Sequence, residues 1–329
     1  SLRRHLQKVL RAHLTSMPES DPLKGRELPR LSAWPQDVVS RWPMASPEVL
    51  AGDMSSLPLS GPSRVLAEPG GSHAAERAWA EFCGKSLDRY TEDRNRVDSS
   101  GTTGLSAHLH FGHISSAQMV VDALENQGWT PECLSEDTRG SRSGWWGVSS
   151  AAESFLDQVI TWRELGHIYC HHVPNFDQYE SLPDWARVTL EAHSGDPRPF
   201  IYSVEQLEEC GTHDRVWNAA QAQLRSEGRI HNYLRMLWGK KILEWSAHPR
   251  DALATMIELN NRYALDGRDP NSYSGIAWCL GRFDRAWGPE RSIFGKIRYM
   301  SSDNTVRKLR LRPYLERWAS ESDPQMTLV

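Results

Sequence analysis

Ile230-His-Asn-Tyr-Leu-Arg-Met-Leu-Trp-Gly-Lys-Lys-Ile-Leu-Glu-Trp245 reads as one helix, and the segments around it continue the pattern. Trp238 and Trp245 stand seven residues apart, so both indoles leave nearly the same side, with Arg235 beside Trp238 on that face. Working backward, residues 212 to 227 form a helix carrying Trp217, and Gly228 suits the position just past its end. Working forward, Pro249 suits the first turn of a helix over 249 to 263. Asp269-Pro270 reads as N-cap and first residue of a helix over 270 to 280, with Ile276, Ala277 and Leu280 toward the core and Gly281 as its stop. Further helices are expected over 150 to 171, from Ile114 to Leu124, and from Ala74 through Leu87 to Tyr90, with a Gly/Ser/Trp-rich break at 128 to 148. No run of alternating segments suggests strands and no repeat is visible, so the body is expected to be all-α.

Residues 1 to 70 differ from this body. One short helical stretch, Leu6 to Leu14, precedes irregular, proline-rich sequence through Pro58, Pro62 and Pro69-Gly-Gly, which has no core of its own. The expected division is a connector over 1–70 and a helical domain over 71–329.

Composition limits the function classes. Of 329 residues, 39% are hydrophobic and 24% charged, and no apolar run approaches the ~18 residues of a membrane span. The five cysteines are scattered, odd in number and never paired as C-x-x-C, which argues against a disulfide framework and a zinc site. No metal is expected. A reducing, intracellular setting is, in the cytoplasm or on the nucleoid if the chain is bacterial. A net charge of −4 excludes a uniformly basic nucleic-acid binder. A local stripe remains: Arg291, Lys296, Arg298, Arg307, Lys308, Arg310 and Arg312 face the single acid Asp303, as a solvated face or as a phosphate-contacting edge.

The 14 tryptophans imply that large rings are needed for packing, base stacking or electron transfer. Trp217, Trp238 and Trp245 could form a core stripe or approach closely enough to relay an electron. Ser99-Ser-Gly-Thr-Thr-Gly-Leu-Ser106 is rich in hydroxyls and glycines and precedes helical sequence, as a phosphate-wrapping loop does and as a plain loop also does. Leu265-Asp-Gly-Arg-Asp-Pro-Asn271 is a dense polar turn whose Asp266 and Asp269 need cations or amide donors if buried, and Arg235 is an available partner. Gln158 and Trp162, as i,i+4 neighbours, would set an amide beside a flat ring, which can read a base edge while stacking on its face.

In order, Tyr90-x-x-x-Arg94-Asn95, Thr103-Gly-Leu-Ser106-x-x-Leu-His-Phe-Gly112, Trp162-Arg-Glu-Leu, Trp217-Asn-Ala, Arg235-Met-x-Trp238-x-Lys-Lys-Ile-Leu-Glu-Trp245, Leu265-Asp-Gly-Arg-Asp-Pro-Asn and Phe294-Gly-Lys-Ile-Arg-Tyr-Met300 resemble the photolyase/cryptochrome family. The set is most similar to the FAD-binding catalytic domain of class II cyclobutane pyrimidine dimer photolyases, over about residues 1 to 317. The resemblance implies an all-helical domain holding a bent FAD in a cavity that opens to DNA. It places Tyr90, Asn95, Thr102, Thr103, Gly104, Leu105 and Ser106 around the cofactor, with the loop on the diphosphate. Asn232, Arg235, Asp266 and Asn260 would surround the flavin, with Arg235 and Asp266 as an ion pair and Arg94–Asp284 as a second, supporting pair. Gln158, Trp162, Met236 and Trp278 would face the substrate, Trp162 and Trp278 flanking it. Trp217, Trp238 and Trp245 match the relay that restores the working flavin, in an order the sequence does not fix. Arg291, Lys296, Arg298, Arg307 and Lys308 would meet DNA.

The implied activity is light-driven repair of pyrimidine dimers in damaged DNA by one electron lent from reduced FAD, with a cryptochrome-like blue-light receptor as the alternative. A monomer is expected. Two departures accompany the resemblance. Gln158 stands where well-known class II members carry a glutamate; it can donate and accept hydrogen bonds but cannot deliver a proton. The α/β domain that precedes this region in the family is not among these residues, and Leu2 to Leu14 resembles the segment just after it, so no antenna chromophore is expected here.

Overall fold

The structure, a computed structural model, describes residues 1–14, 18–19, 21–58, 69–97 and 101–319. Pro62, Ser99 and Ser100 of the sequence reading lie outside the described residues. Among the described residues the regular elements are helices, and the one bridge pairs Arg291 with Gly295 inside a turn. The all-α expectation holds.

The chain divides into two units, Ser1–Thr15 with Leu66–Val329, and Ser16–Val65. The smaller one contains the short helices Gln36–Arg41 and Pro47–Leu50, the latter capped by Ser46, whose hydroxyl accepts from Val49 N–H at 3.3 Å. The first helix is longer than expected, Leu2–Leu14, and belongs to the large unit rather than to a connector. Two contacts explain this: Gln7, 5% exposed, accepts from Gly140 N–H at 2.7 Å and donates to the Ser141 carbonyl at 2.9 Å, and Arg3 forks onto Asp157.

The expected boundaries have physical causes. Asp214 caps Arg215–Glu227 by accepting from Val216 and Trp217 N–H, both at 3.0 Å, and Gly228 ends that helix at φ +68°, a left-handed turn glycine adopts without strain. His248 and Pro249 open Pro249–Tyr263, and Asp269 caps Pro270–Cys279 by accepting from Asn271 N–H at 2.8 Å. Asp184–Ala192, Val204–Glu208, Ser302–Leu309 and Arg312–Trp318 are further short helices beyond those expected from the sequence.

One expected helix is interrupted. In place of a single run over 150 to 171, Ser150–Leu156 and Arg163–His172 are joined by a π-helical segment, Asp157–Trp162. The wider register changes which side chains meet: Asp157 and Trp162, five apart, now share a hydrogen bond.

Three apolar clusters hold the large unit. One surrounds Asn232–Trp245 and contains Trp217, Trp238, Trp245, Met256 and Phe294; a second contains Trp79, Phe82, Tyr90, Leu105 and Phe155; a third joins Leu234 and Leu237 to Tyr314 and Leu315. Each buried indole withdraws about 150–250 Å² from water, an upper bound of roughly 4–6 kcal/mol at about 25 cal/mol per Å². Asn232–Trp245 is buried almost all round, Lys240 included at 1% exposure. That lysine is tolerated because its Nζ donates to the Cys279 carbonyl at 2.6 Å, and burial lowers its pKa to about 8. Two helical glycines bring Pro270–Cys279 close: a Cβ on Gly239 would stand 2.6 Å from Cys279 Sγ, and one on Gly166 would stand 2.9 Å from Asn271 Oδ1.

Candidate functional site

The beginning of Asn232–Trp245 meets the Tyr90 cluster at a cavity of about 120 Å³ lined by Tyr90, Arg94, Asn95, Thr102, Gln158, His231, Asn232 and Tyr233. Tyr90, Asn95, Thr102, Gln158 and Asn232 were expected at a site from separate segments, and the fold brings them to one wall.

The hydroxyl loop closes one side. Thr103 Oγ1 accepts from Leu105 N–H at 3.2 Å, and Gly104 turns at φ +65°, where an added Cβ would stand 3.2 Å from Arg229 Nη1. Leu105 is 1% exposed in the second cluster, so its side chain anchors the loop rather than facing a ligand. Ser106 reaches Asp266. Burial would push the Asp266 carboxyl up, but the Arg235 guanidinium and hydrogen bonds from Arg235 and Ser106 hold it below its usual range. The pair is a fork: Arg235 Nη2 to Oδ1 at 3.0 Å and Nη1 to Oδ2 at 3.3 Å. Arg235 therefore meets Asp266 as expected. Asn260 is 2% exposed, yet among the described residues its side-chain amide makes one long bond, to Asn261 Oδ1 at 3.4 Å, which leaves a buried amide largely available.

Arg94 and Asp284 do not pair. Arg94 lies over the Tyr90 ring at 5.4 Å and donates to Ser154 Oγ at 3.4 Å, whereas Asp284 accepts the Trp287 indole N–H at 3.1 Å. With its amide turned so that the oxygen faces two donors, Gln158 accepts from Arg94 Nη1 at 3.0 Å, and its oxygen lies 3.1 Å from Trp162 Nε1, whose one proton is shared with Asp157 Oδ2 at 3.0 Å.

Trp162 and Trp278, both half-buried, touch each other, ring centroids 5.2 Å apart and planes tilted by 43°. The two rings thus form one angled aromatic surface. Met236, partly buried, lies behind it, its sulfur 3.9 Å from Cys279 Sγ.

The three relay candidates are in contact and buried. Trp217 and Trp238 stack at 6.4 Å with planes 4° apart, and Trp217 meets Trp245 edge-on at 5.6 Å. Trp217 is thus the middle ring. Its indole N–H donates to the Trp238 carbonyl at 3.1 Å, and that of Trp238 to the Gln221 amide oxygen Oε1 at 2.9 Å.

No family model matches the chain. A deoxyribodipyrimidine photo-lyase of Methanothermobacter thermautotrophicus is 40% identical over 248 residues, 75% of this chain and 50% of that protein. Those of Oryza sativa subsp. japonica, 37% identical over 75% of this chain and 46% of theirs, and of Potorous tridactylus, 38% over 74% and 42%, are similar in the same way. The chain belongs to the photolyase/cryptochrome family. It spans about half the length of the curated relatives it matches. A class III photolyase from Agrobacterium tumefaciens shares the fold at TM-score 0.58 and 17% identity over 91% of this chain and 55% of that one. A Synechocystis cryptochrome does so at 0.53 and 16%, over 79% and 48%.

For this photolyase relative, the basic stripe is exposed but not uniform. Arg291 lies over Tyr299 at 4.9 Å, Arg298 over Trp287 at 5.1 Å, and Lys308 over Tyr233, a cavity residue, at 4.5 Å. Lys296 pairs with Glu290 at 3.2 Å, and Arg307 donates to Asn304 at 2.8 Å. Among the described residues no group of three or more His, Cys, Asp or Glu could hold a metal ion, and no helix is long and apolar enough to cross a membrane. Sequence reasoning missed His231, which caps the central helix, lines the cavity and bonds the Arg94 carbonyl at 3.0 Å. Burial lowers its pKa. The signal was its place just before Asn232.

Proposed function

We propose that this chain is the FAD-binding catalytic half of a class II-type photolyase that repairs cyclobutane pyrimidine dimers in damaged DNA. The observation that carries the reading is the convergence of Tyr90, Asn95, Thr102, Gln158 and Asn232 on one cavity, with Arg235, one turn beyond Asn232 on its helix, paired to Asp266. Asn232, the Arg235–Asp266 fork and Asn260 would hold the flavin ring, while Thr102, Thr103, Gly104 and Ser106 would hold the diphosphate. When bound, reduced FAD supplies the light-driven electron that opens the cyclobutane ring.

The chain's own residues do the rest. A dimer of adjacent pyrimidines stacks and pairs poorly, so extruding it from the duplex costs less than extruding normal bases. Trp162 and Trp278 offer the extruded dimer an aromatic wall, at roughly 1–3 kcal/mol per stacked base. Met236 closes the apolar side. Gln158 presents a hydrogen-bonding amide that cannot change charge. Arg291, Lys296, Arg298, Arg307 and Lys308 would meet phosphates from the exposed surface. Trp238, Trp217 and Trp245 offer a continuous line of contacting rings for restoring the cofactor's working state.

A cryptochrome-like photoreceptor is the second reading, favoured by Gln158 and by the same line of indoles. Illuminating the FAD-loaded, reduced chain with a dimer-containing oligonucleotide separates the two. Loss of dimer supports repair; photoreduction without turnover supports signalling. A folded chain unable to take up FAD defeats both.

A further inference from the structure

One charged network in the large unit lies outside the cavity and belongs to no role described so far. It begins on the first helix. Arg3 Nε donates to Asp157 Oδ1 at 3.0 Å and Arg3 Nη2 to Oδ2 at 3.0 Å, with side-chain exposures of 17% and 18%. The same carboxylate accepts the Trp162 indole N–H on Oδ2 at 3.0 Å. Asp157 thus ties a guanidinium to an indole 159 positions further along the chain.

The local backbone makes this tie possible. Asp157 and Trp162 begin and end the π-helical segment, where residues five apart stand above one another. Arg3 is held in turn: Gln7, one turn on, is fastened through Gly140 N–H and the Ser141 carbonyl, so the first helix cannot slide along the body. The remaining freedom of the Trp162 ring is rotation about its side-chain bonds, and Asp157, fixed by a two-pronged guanidinium, restrains it from one side while the Gln158 amide oxygen lies 3.1 Å from the same indole nitrogen. A charge-assisted fork fixes angle as well as distance, which a single neutral bond does not.

We propose that Arg3 is a positioning residue for lesion binding, acting through Asp157 to set the tilt of Trp162 against Trp278. This rests on the proposed substrate-facing role of Trp162. The first helix is then part of the recognition apparatus rather than a connector. An aromatic wall recognises a dimer only when its angle is fixed before binding, because ordering a loose ring costs rotamer entropy at the moment of contact.

The test uses the full FAD-loaded chain in the dark and measures dissociation constants for an oligonucleotide with one thymine dimer and for its undamaged counterpart. Arg3→Gln weakens dimer binding roughly fivefold to tenfold, the size expected for one lost orienting charge-assisted bond. Binding of the undamaged strand stays unchanged. In a Trp162→Phe background, whose ring has no N–H for Asp157, Arg3→Gln has no further effect; a merely structural role would give the same loss in both backgrounds. Arg3→Lys, which keeps the charge but not the fork, falls between wild type and Arg3→Gln, and it carries the same comparison if Arg3→Gln does not fold. Equal losses in the two backgrounds, or an unchanged constant in a wild type that discriminates dimers, overturn the inference alone. A wild-type chain that does not discriminate overturns the proposed function and this inference with it.

Discussion

Trp217 lies face to face with Trp238, ring centroids 6.4 Å apart and planes 4° from parallel, while its other edge meets Trp245 at 5.6 Å. Trp217 is therefore the ring that touches both of the others. Trp217→Phe should slow flavin photoreduction as much as Trp238→Phe does, with FAD still bound, at a stability cost under about 3 kcal/mol. Transient absorption on both variants checks this; photoreduction at the wild-type rate in Trp217→Phe removes the middle position.

The Asp266 carboxyl, held below its ordinary value of 3.8 mainly against the effect of burial by Arg235, contributes stability with a definite sign. Its folded pKa is lower than its unfolded one, so the contribution is fully present above about pH 4 and is lost as pH falls through the folded value. Acid unfolding of Asp266→Asn should show a shallower loss of stability below pH 4 than wild type, from a lower plateau at neutral pH. Parallel curves would show that the pair does not stabilise the fold.

Gly239 sits where Cys279 Sγ leaves no room for a methyl group, 2.6 Å from an added Cβ. Gly239→Ala should cost about 1–3 kcal/mol by overpacking and shift the helix that carries Trp278. Chemical denaturation measures the first effect. Dimer affinity measures the second, and a variant that is destabilised yet binds normally would uncouple that helix from the wall.

Trp278→Ala removes half of the aromatic wall. Dimer binding should weaken by about 1–3 kcal/mol, between roughly fivefold and a hundredfold, with FAD retained. An unaltered dissociation constant would take Trp278 out of the pocket.

Gln158→Glu places a carboxylate where the Gln158 amide oxygen meets Arg94 at 3.0 Å and the Trp162 indole N–H at 3.1 Å. The Arg94 bond becomes charge-assisted, whereas the indole N–H already donates to the Asp157 carboxylate at 3.0 Å, so the gain rests on Arg94 and the variant should melt higher, by about 1 kcal/mol of stability. A lower melting temperature would mean that the cavity penalises the charge more than Arg94 favours it.

Much of this was legible in the residues. Asp269-Pro270, Pro249 and Gly228 fixed helix ends because capping and backbone restriction act within a few residues. The polar turn at Asp266 announced that it needed a cation, and Arg235 was the one supplied. Periodicity also set Trp238 and Trp245 on one face. It could not say that Trp217 would come between them, since that depends on how two helices pack.

By itself, then, the chain determined its helical class, most helix boundaries and the residue types that would gather around a site, all of which follow from interactions spanning a turn or two. Packing decided the rest. The π-helical register that joins Asp157 to Trp162, the contact between Trp162 and Trp278, the burial of Lys240 and the Arg3–Asp157 tie all unite residues that local propensity treats as independent. Their energies exist only once the apolar clusters have closed and removed water from around them.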